Sequence, residues 1–276
     1  MNRLQKSLRI NALFSSVSGI VLIAFNQPIA KLFGTTNSSI FWIVGIVLLF
    51  FASTIFYEVI RQRPLAVLWI IMQDFLWVLG SIFIVAIDPF EISKTGNLTM
   101  GVIALIVLFV GINQSKALAQ VDSSAVKGKK YFRFERVAKA SKQDVWKVVA
   151  DVANYDKVAP NIDDVNIISG EGKGMVRSCS HGKDSWTETC SIWQEEKTYS
   201  FEVNTAAPNY PYPFKFLKGT WEVHEIDSTT TKIVMLFDFE YKHRFQNVLI
   251  HPFLKGKFTK TAHELLNNWQ KMLEKK

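Results

Sequence analysis

The chain has 276 residues, of which 49% are hydrophobic, and its mean hydropathy is +0.12. It is too apolar for an ordinary soluble protein of this length. The 32 lysines and arginines outnumber the 24 acidic residues, and this net charge of +8 suits an anionic partner such as a membrane surface or nucleic acid. Two cysteines, Cys179 and Cys190, are too few to define a disulfide framework, so a disulfide-stabilised secreted scaffold is excluded.

The apolar residues are concentrated before about residue 118, where long uncharged runs are separated by short polar joints. The remainder has the composition of a globular domain. We therefore predict an α-helical membrane bundle of four spans over residues 1–118, a basic linker over 119–130 and a water-soluble domain over 131–276.

Four segments approach the ~20 apolar residues that cross about 30 Å of hydrocarbon. They cover roughly residues 8–25, 40–60, 65–87 and 98–118. The first follows a basic start that is similar to that of a signal peptide. Because no small-residue cleavage site precedes a polar segment, we predict that this span is retained.

Basic residues mark one side of the predicted bundle. They precede span one, join spans two and three, and follow span four, whereas the other joints hold only Lys31 and Lys94. Since positively charged loops stay in the cytoplasm, we expect a multi-pass protein of the cell membrane with both termini and the soluble domain cytoplasmic. The marking residues are Arg3, Lys6, Arg9, Arg61, Arg63, Lys116, Lys127, Lys129 and Lys130.

Asp74 lies near the middle of the third span, where an acidic group is unfavourable unless it is paired. One hypothesis is a proton or ion relay. The other is a hydrogen bond inside the bundle, to Asn11 or Asn113, and the lack of a second acidic residue favours it. Glu58 is expected to pair with a basic residue at the end of its span.

The globular part begins with a predicted strand over 131–139 and a helix over 143–152 capped by Ser141. A strand over 162–169, two hairpins over 174–205, a loop with three prolines and two long strands follow. The chain ends in a helix whose apolar residues recur at helical spacing. The inward residues of the last strand are Ile233, Met235, Phe237, Phe239 and Tyr241, and those of the helix are Phe258, Ala262, Leu265, Leu266, Trp269, Met272 and Leu273.

The two hairpins are predicted to turn at Gly182 with Lys183 and at Glu195 with Glu196. The first turn places Arg177 opposite Glu188 and Cys179 opposite Trp186. The second places Glu188 opposite Val203, Cys190 opposite Phe201 and Ile192 opposite Tyr199. Alternate residues then share a face. The inner face holds Met175, Arg177, Cys179, His181, Trp186, Glu188, Cys190, Ile192, Tyr199, Phe201 and Val203, and the solvated outer face holds Ser178, Ser180, Ser185, Thr187, Thr189, Ser191, Ser200, Glu202 and Asn204.

The inner face is mostly apolar but contains an arginine and a carboxylate directly across from each other, as a pocket for an apolar ligand with a polar end requires. Arg177 either binds the head group of a ligand while Glu188 holds its guanidinium, or the two form a structural ion pair. The predicted ligand contacts are Arg177, Cys179, Trp186, Glu188, Cys190, Tyr199, Phe201, Trp221, Phe237, Phe239 and Trp269. No catalytic residue is assigned, and Glu188 and Tyr199 are the candidates for chemistry.

The histidines do not indicate a metal site. His181 and Asp184 flank a tight turn and are expected to be solvated, with a catalytic dyad as the alternative. His224 alternates outward beside Glu222, and the remaining histidines lack acidic companions at ligand spacing. We expect no metal and no cofactor.

Basic residues mixed with phenylalanines surround the proline-rich loop and the start of the last helix, and this mixture suits an anionic membrane surface. The alternatives are nucleic acid, which the membrane tether disfavours, and an ordinary solvated face. The predicted membrane-surface residues are Lys215, Lys218, Lys242, Arg244, Lys255, Lys257 and Lys260.

The order of elements and five sequence segments resemble the helix-grip superfamily of START, Bet v 1-like and polyketide cyclase/dehydrase and lipid-transport (SRPBCC) domains. The segments are RVAKASKQDVWKVVADVANYDKVAPNI, EGKGMVRSC, WTETCSIW, KGTWEVHEI and TTTKIVMLFDFEY. The resemblance runs from about Tyr131 to Lys276 and implies a curved antiparallel sheet wrapped on a long C-terminal helix, with a hydrophobic cavity between them. Family members bind lipids, sterols, polyketides or quinone-like molecules, and a minority catalyse cyclisation or dehydration.

The leading hypothesis is a membrane-anchored protein that binds or transfers a lipid or another hydrophobic small molecule. The mouth of its cavity is predicted at the proline-rich loop and at residues 248–258. One alternative is a cyclase- or dehydratase-type enzyme acting on a membrane-soluble substrate. The other is a structural protein that recruits a partner and whose supposed cavity is a packed core.

Overall fold

The computed structural model describes residues 1–126 and 128–274, so the predicted basic residue Lys127 lies outside the described residues. The chain divides into two compact units. The first comprises Met1–Val121 together with Asn247–Pro252, and the second comprises the remaining described residues from Asp122 onwards.

The first unit is helical, with α1 over Arg3–Ala24, α2 over Asn26–Phe33, α3 over Ser39–Arg61, α4 over Pro64–Ile87 and α5 over Lys94–Leu118. The helices α1, α3, α4 and α5 are long and apolar enough to cross a membrane, and they match the four predicted spans. The short helix α2 was not predicted. It continues α1 after a break at Phe25 and ends at Gly34, whose left-handed backbone caps it.

Two glycines allow α1 and α3 to approach closely. A Cβ atom on Gly19 would lie 2.8 Å from the carbonyl oxygen of Gly45, and a Cβ atom on Gly45 would lie equally close to the carbonyl of Gly19. Small residues at a helix crossing let the backbones pack directly, which favours helix association in lipid.

The two polar pairs expected in this unit are present. Asn11 donates from Nδ2 to Asp74 Oδ2 at 2.8 Å, so the predicted hydrogen bond inside the bundle is confirmed with Asn11 as its partner. Asn113 instead donates to its own helix at Phe109. Glu58 accepts hydrogen bonds from the backbone and side chain of Arg63.

The second unit is built around one seven-stranded antiparallel sheet in the order β1-β7-β6-β5-β4-β3-β2. The strands are β1 Lys130–Ala138, β2 Asp164–Ser169, β3 Val176–His181, β4 Asp184–Gln194, β5 Thr198–Val203, β6 Phe214–Asp227 and β7 Thr230–Tyr241. Helix α6 covers Lys142–Val149, and a 3-10 helix follows over Val152–Lys157. The short helix α7, Gln246–Leu249, precedes the long helix α8, His251–Glu274, and α8 belongs to the second unit from Phe253 onwards. This curved sheet with its long C-terminal helix is the predicted helix-grip fold.

Helix α6 begins as predicted but ends three residues early. Ser141 caps it by accepting a hydrogen bond from the backbone of Asp144 at 3.2 Å. After Val149 the chain changes to the 3-10 helix, which buries Val152 and Tyr155 in the core. The chain therefore leaves the α-helical conformation before Val152, and the 3-10 helix brings both side chains into the core.

The first hairpin has the predicted register, with Arg177 opposite Glu188 and Cys179 opposite Trp186. Its turn begins at Gly182, where the backbone φ of +58° requires the conformational freedom of glycine.

The second hairpin departs from the prediction near its turn. Cys190 lies opposite Phe201 as expected, but a bulge follows it, and Trp193 rather than Ile192 lies opposite Tyr199. The Trp193 and Tyr199 rings are 5.6 Å apart and Trp193 packs against the core, while both Ile192 and Trp193 are half-buried. Ser200, predicted on the solvated face, is fully buried and shares a 2.8 Å hydrogen bond with Ser191.

Helix α8 lays its apolar stripe on the sheet. Ala262, Leu265, Leu266 and Trp269 are buried, whereas Met272, which was assigned to the same stripe, is 40% exposed. The exposure of Met272 fits its position close to the end of α8, where less of the helix is covered.

We expect Trp269→Ala to destabilise the second unit by about 3–5 kcal/mol, because it removes a fully buried indole and leaves a cavity. Met272→Ala on the same helix is the matched control and should have little effect. Pulse proteolysis of the full chain in detergent measures both variants. Equal resistance of the two variants would contradict the packing of α8.

Candidate functional site

A cavity of about 350 Å³ lies in the second unit, lined by residues of the sheet, of α8 and of the loop before β6. This volume falls within the range of small-molecule pockets. Its wall includes the aromatic rings of Phe201, Trp221 and Phe237 from the sheet and the side chains of Phe258 and Leu265 from α8. The rings of Phe237 and Phe258 touch, with their centres 5.6 Å apart. A hollow therefore lies between the sheet and α8, as the ligand-binding hypothesis requires.

Six of the eleven predicted ligand contacts line the cavity: Arg177, Trp186, Glu188, Phe201, Trp221 and Phe237. The other five, Cys179, Cys190, Tyr199, Phe239 and Trp269, are buried in the surrounding packing instead. Alternation along a strand identifies the inward face, but it does not distinguish an inward residue at the hollow from one in solid core.

Tyr199 was a candidate for chemistry, and its surroundings are structural. Its hydroxyl donates to the carbonyl of Val149 at 2.7 Å, and its ring stacks on Trp221 at 5.0 Å. The two cysteines are also enclosed, and burial raises the pKa of the Cys179 thiol to about 12.

Several lining residues were not among the predicted contacts. Tyr155 comes from the unpredicted 3-10 helix, and Tyr210 and Tyr212 come from the proline-rich loop. Both segments predicted to form the mouth contribute to the lining, the second through Leu254 and Phe258. In the sequence, the two tyrosines of the segment PNYPYP were the feature that could have indicated this part of the cavity wall.

Arg177 and Glu188 form a buried ion pair beside the cavity. Nε and Nη2 of Arg177 donate to Oε2 of Glu188 at 3.0 and 2.7 Å, and Nη1 donates to the carbonyl of Val152 at 3.2 Å. The guanidinium lies 3.9 Å from the ring centre of Phe201 and 5.0 Å from that of Tyr155. Burial is the largest influence and opposes the charge, but Glu188 together with Cys179 and Tyr155 holds the pKa of Arg177 above its ordinary value.

Both oxygens of the Glu188 carboxylate accept hydrogen bonds. Its Oε2 accepts both bonds from Arg177, and its Oε1 accepts a 2.7 Å bond from the indole of Trp186. Arg177 has five N–H donors, of which three have protein acceptors. The pair can therefore offer hydrogen bonds to a ligand while its net charge is zero.

His181 lies at the turn of the first hairpin and also lines the cavity. Its acidic neighbour is Asp163, with Nδ1 and Oδ1 3.3 Å apart, rather than Asp184, which is its strand partner. Asp163 also accepts from the backbone of Gly182, and this bond together with His181 lowers the pKa of its carboxyl group. His181 is exposed, as expected for a residue that flanks a turn.

The other titratable candidates lie on the surface. His224 is exposed and contacts Glu222 at 2.8 Å, in agreement with its predicted outward position. No group of three or more histidine, cysteine, aspartate or glutamate side chains that could hold a metal occurs among the described residues.

The predicted membrane-surface residues differ in their environments. Lys215 pairs with Glu240 at 2.7 Å and Lys255 with Asp122 at 2.8 Å, so acidic neighbours neutralise both lysines. Lys242 lies over the ring of Tyr210, and Lys257 and Lys260 are exposed near the start of α8. A role of this cluster at a membrane stays a prediction.

We expect Glu188→Gln to destabilise the second unit by about 3–5 kcal/mol, because it leaves the Arg177 charge buried without its partner. The control is Glu135→Gln, which breaks the exposed pair with Arg133 and should have no measurable effect. Replacing Arg177 and Glu188 together by methionine should restore part of the loss. If Glu188→Gln is as resistant to pulse proteolysis as Glu135→Gln, the pair does not stabilise the fold.

The model of the family "Polyketide cyclase / dehydrase and lipid transport" matches residues 131–274, just over half of the chain. Among solved structures, Zhui aromatase/cyclase from Streptomyces sp. R1128 is 18% identical, with a TM-score of 0.44, over 53% of this chain and 94% of that chain. A START superfamily protein from Mycobacterium smegmatis is 13% identical, with a TM-score of 0.43, over 52% and 97%.

Norcoclaurine synthase from Thalictrum flavum is 14% identical, with a TM-score of 0.43, over 57% of this chain and 91% of that chain. At these identities the similarity is one of fold alone. No curated protein matches the sequence significantly. The match to the family model covers the whole predicted globular domain except its last two residues, and the chain belongs to the polyketide cyclase/dehydrase and lipid transport family.

Proposed function

We propose that this chain is a membrane-anchored protein that binds a hydrophobic small molecule in the internal cavity of its C-terminal domain. The observation that supports this most strongly is the cavity of about 350 Å³, walled by aromatic side chains and bordered by one neutral, buried ion pair. A site of this kind suits a mostly apolar ligand whose orientation is fixed by a few polar groups. The family includes binders of hydrophobic ligands as well as cyclases, which agrees with this use.

The four apolar helices support the membrane anchor. An anchored domain samples its ligand source at a high effective concentration without additional contacts. The distribution of basic residues favours a cytoplasmic domain, and the exposed side chains of Lys257 and Lys260 suit anionic lipid at the cytoplasmic surface.

If the cavity binds an apolar ligand, such a compound should copurify with the protein. Extraction and mass spectrometry of the full chain, purified in detergent, should identify an apolar compound in stoichiometric amount. Val203→Trp, which places an indole in the cavity, should reduce that amount severalfold, because Val203 lines the cavity wall. The control is Val137→Trp, the same change at a half-exposed position of β1.

A compound retained equally by both variants would show that it binds outside the cavity. Wild-type protein that is consistently empty, and that also fails to take up added apolar probes, would contradict the proposal itself.

The predicted orientation of the helices in the membrane can be tested with single introduced cysteines. Thr36→Cys, between α2 and α3, should react with a membrane-impermeant maleimide in intact cells. Gln120→Cys, directly after α5, should react only after permeabilisation. Cys179 and Cys190 are buried and give little background. The reverse pattern would place the globular domain outside the cytoplasm.

A further inference from the structure

A second hollow, of about 170 Å³, lies in the first unit between α1 and α5. It is lined by the first turns of α1 and by the C-terminal half of α5. The lining residues are Arg3, Lys6, Ser7 and Ile10 of α1 and Phe109, Val110 and Asn113 of α5. None of them lines the cavity of the second unit, so the two sites are distinct.

One end of this hollow carries two positive charges. Neither Arg3 nor Lys6 forms an ion pair with an acidic residue that the structure describes. Glu58, the acidic residue of α3, is already bound by Arg63 and does not neutralise them. The hollow can therefore accept an anion without displacing an existing ion pair.

The other end is apolar and open to the outside of the bundle. Ile10 is 52% exposed and Phe109 is 68% exposed, although both lie in helices that are long and apolar enough to cross a membrane. Ile10 follows Arg3 by seven residues, which places it about 10 Å further along α1. This length spans the headgroup layer of one leaflet, which is about 5–8 Å thick. The hollow thus joins a basic end to an apolar end, as an amphiphilic lipid does.

Two uncharged polar side chains also line the hollow. The amide nitrogen of Asn113 donates to the carbonyl of Phe109 at 3.0 Å, which leaves Oδ1 of Asn113 as an acceptor. Ser7 supplies a hydroxyl group. These two groups can bond to the hydroxyl groups and ester oxygens of a glycerophospholipid.

We propose that the hollow between α1 and α5 binds one anionic phospholipid, with its phosphate on Arg3 and Lys6 and an acyl chain along Ile10 and Phe109. Arginine binds a phosphate through paired donors, and lysine binds it as a point charge. Basic pockets between membrane helices suit the anionic lipids of the cytoplasmic leaflet, where the positive-inside rule places this end of the bundle. The site goes beyond the proposed function and shares with it only the membrane anchor.

Two lipids with the same acyl chains test the charge preference. The full chain in detergent is titrated with dioleoylphosphatidylglycerol or with dioleoylphosphatidylcholine, and native mass spectrometry measures the fraction that holds one lipid. The anionic lipid should bind about tenfold more tightly than the zwitterionic one. An excess of inorganic phosphate should not displace it, because phosphate has no acyl chain for the apolar end. Equal affinity for the two lipids, or displacement by phosphate, would overturn the proposal.

Single neutralised charges locate the phosphate. Arg3→Gln and Lys6→Gln should each weaken binding of phosphatidylglycerol about fivefold, as expected for one basic residue at an anionic lipid surface. The matched control is Arg9→Gln, since Arg9 is exposed on the same helix but does not line the hollow. If Arg9→Gln weakens binding as much as the other two variants, the lipid responds to overall charge and the assigned site is wrong.

A variant that fills the hollow tests its shape without changing its charge. Asn113→Trp should weaken phosphatidylglycerol binding at least fivefold, because the indole occupies the space of the lipid. Ile112→Trp is the control, since Ile112 is the adjacent residue of α5, is 38% exposed and does not line the hollow. Equal binding by these two variants would show that the lipid lies elsewhere.

Val203→Trp separates this site from the cavity of the second unit. It should leave phosphatidylglycerol binding unchanged, because Val203 lines the cavity and not the hollow. Loss of the lipid in Val203→Trp would place it in the cavity, which would overturn the present proposal and support the proposed function. A lipid that is retained in the hollow while the cavity accepts no apolar compound would contradict the proposed function alone.

Discussion

The buried pair of Arg177 and Glu188 joins the parts of the second unit that form its cavity. It links β3 to β4, and the third bond of Arg177 holds the carbonyl of Val152 at the start of the 3-10 helix. That helix in turn places Tyr155 against the guanidinium. Because a buried charge must be compensated, the position of Arg177 constrains all of these elements together.

The helix α8 divides the interior into a hollow part and a solid part. Leu254, Phe258 and Leu265 contribute to the cavity wall. Leu266 and Trp269 are fully buried in the packed core and do not line the cavity. Leu265 belongs to both, because it lines the cavity and is also part of the core.

The first unit contains four helices that are long and apolar enough to cross a membrane. Its polar interior is small. The bond between Asn11 and Asp74, extended to Ser15 at 3.2 Å, satisfies an acid that would otherwise be unpaired among apolar helices. The bond between Asn11 and Asp74 links α1 to α4.

The sequence by itself determined the elements whose signal is local. Runs of apolar residues located the four long helices, the period of two placed Arg177 opposite Glu188, and the period of 3.6 located the buried stripe of α8. Tertiary structure decided what depends on distant partners: the bulge that places Trp193 instead of Ile192 opposite Tyr199, and the 3-10 helix that brings Tyr155 to the cavity. It also decided that Phe201 faces the hollow while Tyr199 of the same strand lies in solid packing. The physical reason is that periodicity fixes the direction of a side chain relative to its own backbone, whereas the space it meets is set by the elements that pack across from it.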